Sequence, residues 1–205
     1  MKPEEIKKQL TRTWVPFFSR FGSFTPVQEL SIPHILASEN VVVVSPAASG
    51  KTEAVIAPLV ENLVRRQEKP HGLRILYISP TRALINDLYR RLLDPVTYCG
   101  LELGRKTGDL PQLDYNNPPQ ILLTTPESFD SLMARRPKIF QELETVVLDE
   151  IHLVDNTPRG DQVRVLLARL RKIRDTLHYC ALSATIDDLT IGSRYFTAPR
   201  VCLLE

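Results

Sequence analysis

The sequence predicts an α/β fold, a mostly parallel sheet with helices on both faces. Two observations predict it. Short runs of β-branched and aliphatic residues, Val41 to Val44 foremost, alternate with longer amphipathic stretches. Strands buried on both faces read as such continuous apolar runs, and helices between them supply the crossovers of a parallel sheet. The first strand also runs through small residues into Gly50-Lys51-Thr52 at the head of a helix-compatible segment, the strand, loop and helix succession that binds phosphate.

Each element has a local reason. Lys2 to Phe18 is expected to form one amphipathic helix, because Pro3 and two glutamates stand at its start and Ile6, Leu10, Trp14 and Phe17 recur at helical spacing. After Gly22, Thr25 can act as N-cap, Pro26 as first helical residue and Gln28 as capping-box partner of a helix running towards Ser38. The strand Val41 to Val44 leads to a helix over Glu53 to Arg66. There follow a strand over Leu73 to Ser79, a helix over Arg82 to Leu93, a short strand near Leu101 to Arg105 and a strand over Gln120 to Thr124. A helix over Glu127 to Arg135, a strand over Thr145 to Asp149 and a helix over Asp161 to Asp175 come next. A strand over Tyr179 to Leu182, a short helix near Asp187 to Arg194 and a last strand around Val201 to Leu204 complete the pattern. Thr107 to Pro119, with its prolines and asparagines, is expected to be irregular.

The 205 residues suit one large domain, and 43% hydrophobic with 24% charged residues is ordinary for a globular protein. A net charge of +2 permits nucleic-acid binding without arguing for it, so any basic surface must be local. Cys99, Cys180 and Cys202 are scattered and lack metal-ligand spacing, which predicts free thiols and fits a reducing cytoplasm. No apolar run is long enough to span a bilayer, and the first residues do not open a secretory signal, so a cytoplasmic protein with no membrane partner is expected.

The chemistry concentrates where strands end, since ligands of an open parallel sheet sit at the carboxyl ends of its strands. The small-residue loop Pro46, Ala47, Ala48, Ser49 and Gly50 can wrap a polyphosphate, with the N–H groups of all but the proline turned inward. Lys51 supplies a charge to the β- and γ-phosphates and Thr52 a hydroxyl ligand for Mg²⁺. Ser45 stands at the first glycine position of the usual loop pattern, and only Gly50 is left to ease the turn. About 100 residues on, Asp149-Glu150 follows another apolar strand. Asp149 can hold the Mg²⁺ that Thr52 approaches, and Glu150 can orient and deprotonate the water that attacks the γ-phosphate. His152 is expected to pair with Ser183 or Thr185 instead of touching substrate.

In this order and spacing the pieces resemble the first RecA-like domain of a superfamily-2 helicase of the DExH type. The matching segments are Phe24 to Gln28 (Q motif), Ser45 to Thr52 (motif I), Pro80 to Leu84 (Ia), Thr107-Gly108 (the TG element), Thr125-Pro126-Glu127 (Ib), Asp149 to His152 (II) and Ser183-Ala184-Thr185 (III). Arg159-Gly160 and Thr107-Gly108-Asp109 are similar to the Lhr-type branch. The resemblance implies a single RecA-like ATP-binding domain over residues 1–205, with the N-terminal helix and Q motif in about 1–40 and the motor core in about 41–205. It implies ATP and Mg²⁺ as cofactors, Gln28 reading the adenine with Phe21 or Phe24 stacking on it, and Arg82, Thr107, Gly108, Thr125 and Glu127 along the backbone of DNA or RNA. It further implies that His152, Ser183 and Thr185 couple the two sites.

Motif I has Ala47-Ala48 where the family usually has Thr-Gly, and the sequence ends about 20 residues after motif III. A second RecA-like domain, with its arginine fingers, is therefore expected from the same or another chain. An arginine finger can contribute a factor of roughly 10³ to 10⁵, so this polypeptide alone is expected to be a poor ATPase. Two other readings remain: a degenerate nucleotide-binding scaffold, favoured by the loop alanines but not by an intact Lys51, Thr52, Asp149 and Glu150, and a P-loop transferase, which leaves Gln28, Ser183 and Thr185 unexplained.

Overall fold

The computed structural model describes residues 1–68, 70–108, 113–185, 190–197 and 200–203. Among the described residues seven strands form one sheet: β1 (Val41–Val44), β2 (Ile75–Ile78), β3 (Leu103–Lys106), β4 (Ile121–Thr124), β5 (Thr145–Leu148), β6 (His178–Ser183) and β7 (Arg200–Leu203). Their order is β3-β4-β2-β5-β6-β1-β7, and every pairing is parallel. The expected fold class is the observed one.

The period-2 geometry of a strand sends alternate side chains to opposite faces, and both faces are covered. Val41, Val43, Ile75, Tyr77, Leu123 and Val147 pack beneath α1 (Pro3–Gln9), α2 (Trp14–Phe18), α3 (Pro26–Leu36), α4 (Lys51–Val64) and α5 (Arg82–Tyr98). Val42, Val44, Leu76, Ile78, Val146 and Leu148 pack beneath α6 (Pro126–Arg135) and α7 (Pro158–Leu170). All four residues of β1, β2, β4 and β5 are buried, whereas β7 at one edge is mostly exposed.

Three expectations are corrected. The N-terminal segment is two helices, because the backbone between them turns to serve Glu61 of α4. That buried carboxylate accepts from Arg12 N at 3.0 Å, Thr13 N at 2.9 Å and the hydroxyls of Thr11 and Thr13 at 2.9 and 2.8 Å. Helix α5 runs through Pro95 to Tyr98, held down by buried Leu88, Leu92 and Val96, which outweigh the amide bond a proline gives up. Helix α7 begins at Pro158 on the Thr157 cap and ends at Leu170. Of the expected short helix, residues 186–189 lie outside the described residues, and a 3₁₀ turn occupies Ile191–Arg194. Residues 109–112 of the expected irregular segment and Leu204 of the last strand also lie outside them. Cys180 and Cys202 are buried free thiols, and Cys99 is a half-buried one.

Candidate functional site

The carboxyl ends of β1, β2, β5 and β6 bring the loop 45–50, Ser79, Asp149-Glu150 and Ser183 to one rim of the sheet. The loop leaves β1 buried and exposes Pro46, Ala47 and Ala48. Ala48 has φ +59° and Gly50 φ +91°. At Gly50 a Cβ would stand 2.4 Å from Gln28 Nε2, so conformation and space both demand glycine there. Thr25 Oγ1 donates to Ser49 O at 2.8 Å and Gln28 Nε2 to Gly50 O at 3.2 Å, while Gln28 Oε1 accepts from Thr25 N at 2.9 Å. Both ends of the Gln28 amide are thus engaged, one in the expected capping box and one on the loop. Lys51, buried at the head of α4, donates to Ser45 O at 2.6 Å and Pro46 O at 2.9 Å. Burial holds its pKa below that of an ordinary lysine, and the charges of Glu150 and Asp149 act in the opposite sense.

Asp149 is buried and accepts from Ser79 Oγ and from Glu150 N, each at 3.1 Å. Burial and then the neighbouring Glu150 charge push its pKa up to about 6. Glu150 has φ +46°, a left-handed backbone, and its carboxylate lies 3.4 Å from His152 Nδ1. His152 Nδ1 also lies 3.1 Å from Ser183 Oγ and 3.4 Å from Ala184 N, and Ser183 Oγ donates to Thr185 O. His152, Ser183 and Thr185 therefore form one cluster behind Glu150.

The donor set fits Mg²⁺ shared with phosphate. No group of three or more His, Cys, Asp or Glu able to hold a metal occurs among the described residues, but Mg²⁺ needs only one or two carboxylates when phosphates complete its shell. A buried carboxylate with a raised pKa beside a second carboxylate has the electrostatics of a site that awaits a cation. Tyr77, fully buried, faces Asp149 and Thr52 with a hydroxyl that has no hydrogen-bond partner of normal geometry among the described residues.

A second feature opens beside this rim, a cavity of about 520 Å³ lined by Arg82, Lys106, Thr107, Gly108, Thr125, Glu127 and Arg159. It gathers all five residues expected along a nucleic-acid backbone. A Cβ on Gly108 would come within 3.1 Å of Arg82 Nη2, so the glycine leaves room for that guanidinium. Arg159 donates from Nε to Glu127 Oε1 and from Nη2 to Pro80 O, both at 2.8 Å.

Residues 25–191 match the family model for DEAD/DEAH box helicases. The chain belongs to this family. It is 32% identical to the ATP-dependent helicase Lhr-Core protein 2 of Thermococcus barophilus over 90% of its own length and 24% of that protein's. It is 31% identical to the ATP-dependent DNA helicase Hel308 of Methanocella arvoryzae over 97% of its length and 26% of the relative's. The solved structure of the Mycobacterium smegmatis helicase Lhr bound to ssDNA and AMP-PNP superposes with a TM-score of 0.84 at 29% identity, over 93% of this chain and 27% of that one. The chain thus spans about a quarter of the length of these relatives.

Within this helicase domain, sequence reasoning missed four residues of the rim and the cavity. Ser79, directly after β2, stood at a strand end in the sequence but was assigned no role, and Lys106 ends β3, a strand to which the strand-end rule was not applied. Arg159 carried a signal only as part of the Arg-Gly pair, and its bridge between Glu127 and Pro80 depends on the packing of α7. Tyr77 read as core. Phe24, one of two aromatics considered for the adenine, is corrected: it lies in the core, edge-on to Trp14 and Phe18 at 5.0 Å from each. Phe21 is exposed. No helix among the described residues is long and apolar enough to cross a membrane.

Proposed function

We propose that this domain binds Mg-ATP at the rim formed by the loop 45–50, Thr52, Asp149 and Glu150, and works as one half of an ATP-dependent helicase motor on DNA or RNA. The observation that carries the reading is the convergence of Lys51, Thr52, Asp149 and Glu150 at one edge of a sheet whose family is shown. In this reading Lys51 leaves the Ser45 and Pro46 carbonyls for the β- and γ-phosphates, an exchange favoured because the phosphates carry full charge. Mg²⁺, when bound, neutralises phosphate charge, and Thr52 and Asp149 would hold it. Glu150 orients the attacking water and accepts its proton on the carboxylate, with His152 fixing the position of that carboxylate.

Gln28 and Phe21 would meet the adenine, which requires the Gln28 amide to keep or exchange its bond to Gly50 O. Arg82, Thr107, Gly108, Thr125 and Glu127 would follow the nucleic-acid backbone, with Lys106 and Arg159 contributing positive charge; such contacts position a strand without reading its sequence. His152, Ser183 and Thr185 would link the sites. The domain would occupy residues 1–205 as one unit inside the cell, and its partner is a second RecA-like domain that supplies arginine fingers.

Calorimetry with ATP and Mg²⁺ tests the assignment. The wild-type protein should show one weak site, and Lys51→Ala should lose it. Equal heats from the two proteins would refute the nucleotide site.

A further inference from the structure

Tyr77 stands at the centre of the sheet, on β2, with Leu123 of β4 and Val147 of β5 as its lateral neighbours. The layer around it is otherwise aliphatic at Val43, Leu123, Val147 and Leu182, so packing alone gives no reason for a phenol. Its hydroxyl is buried with no hydrogen-bond partner among the described residues. Buried polar groups in native proteins are almost always hydrogen-bonded, and one left over calls for an explanation.

The surroundings supply one. Asp149 lies two residues beyond Val147, and two-residue periodicity brings it to the Tyr77 face of the sheet. Across that face α4 begins with Lys51 and Thr52. The Asp149 carboxylate and the Thr52 hydroxyl, the two groups read above as metal ligands, are neighbours of the phenol, yet among the described residues neither completes a hydrogen bond of normal geometry with it. The nearby charged groups are the Asp149 and Glu150 carboxylates. A phenol carries one O–H to donate, and an ionised carboxylate can only accept.

We propose that Tyr77 is a positioning residue for the metal site: its hydroxyl donates to the Asp149 carboxylate when that carboxylate engages Mg²⁺, and so fixes which oxygen faces the ion. Groups that orient metal ligands from behind act in this way in many metal sites. Ser79 Oγ and Glu150 N already hold the carboxylate from two sides, and Tyr77 adds a third donor from the floor of the sheet. The inference rests on the Mg-ATP reading above.

The test is Tyr77→Phe, read by the Mg²⁺ dependence of AMP-PNP binding and by thermal unfolding without ligand. Tyr179→Phe is the control. Tyr179 also has a buried hydroxyl without a partner, but it stacks on Phe196 at 5.2 Å in the opposite layer. In Tyr77→Phe the Mg²⁺ concentration giving half of the metal-dependent gain in AMP-PNP affinity should rise roughly 10-fold. Binding in EDTA and the unfolding midpoint should not fall, and Tyr179→Phe should match wild type in its response to Mg²⁺. An unchanged Mg²⁺ response in Tyr77→Phe overturns the inference. So does a loss of binding that is equal with Mg²⁺ and with EDTA and accompanied by a lower midpoint, because that pattern marks a packing role. If the wild-type protein itself shows no Mg²⁺-dependent binding, the Mg-ATP reading fails and this inference falls with it, an outcome distinct from the other two.

Discussion

Replacing Asp149 by asparagine should raise the stability of the ligand-free protein at neutral pH while removing its response to Mg²⁺. The carboxylate is buried beside Glu150, and burial first, the Glu150 charge second, hold its pKa at about 6 against an ordinary 3.8. Lys51 does not cancel this, because its own ammonium is directed at the Ser45 and Pro46 carbonyls. A folded-state pKa above the unfolded one means that the native protein binds more protons between the two values. The stability associated with the protonated acid is therefore complete below about pH 4 and is lost as pH rises through about 6. Some two pH units of displacement correspond to about 3 kcal/mol of destabilisation above pH 7.

Asparagine removes that penalty and can keep both contacts, its Oδ1 accepting from Glu150 N and its Nδ2 donating to Ser79 Oγ. Burial of the amide consumes part of the gain, so an increase of about 1–3 kcal/mol is expected near pH 8. At roughly 2–4 °C per kcal/mol for a chain of this size, that is a rise of several degrees in Tm. Unfolding followed from about pH 4 to pH 8 should show the two proteins converging at the acid end. A variant no more stable than wild type at pH 8, or one whose advantage does not change with pH, would refute the electrostatic account.

Two further perturbations address the scaffold. Glu61→Gln should cost about 1–3 kcal/mol at neutral pH, because the carboxylate is buried among hydroxyl and amide donors and charged acceptors bind these more strongly. Those donors outweigh burial and hold its pKa below the usual value, so the difference from wild type in denaturant titrations should shrink as pH falls below 4.5, the ordinary glutamate value. Gly160→Ala should destabilise by about 1–3 kcal/mol as an overpacked site does, since its Cβ would lie 2.3 Å from Val154 O and 2.8 Å from the Tyr195 hydroxyl; an unchanged urea midpoint would contradict this.

What the sequence made legible follows from how local each cause is. Four valines can only be a buried strand, and β1 falls on Val41–Val44 as expected. Thr25, Pro26 and Gln28 carry their own start signal, and α3 begins at Pro26. Where the cause lies elsewhere in the chain, the reading fails. The break between α1 and α2 answers to Glu61, some fifty positions away. The continuation of α5 past Pro95 depends on apolar positions that pay off only once the helix lies on the sheet. Phe24 stands one residue before the Q-motif threonine and resembles a base-stacking residue in one dimension, yet its ring is enclosed by Trp14 and Phe18. The carboxylates, the lysine and the hydroxyls of the site were legible because strand ends converge in any parallel sheet. The unpartnered hydroxyl of Tyr77 was not, since a tyrosine within an apolar strand looks like ordinary core until its neighbours across the sheet are known.

The first thirty residues hold the helix that follows β1 in place. Helix α4 carries the loop 45–50 at its amino end, and the N-terminal segment grips it at two places. Thr25 and Gln28 bind the carbonyls of Ser49 and Gly50 at the loop, and the backbone of Arg12 and Thr13 binds Glu61 in the last turns of the helix. A helix held at both ends cannot tilt or slide without breaking these hydrogen bonds, so the N-terminal segment, together with β1, sets the loop's position. The left-handed turn at Gly50 is part of that grip, because only a residue without a Cβ lets the Gln28 amide approach its carbonyl. Gln28 therefore has a structural duty at the loop whatever it does with a base.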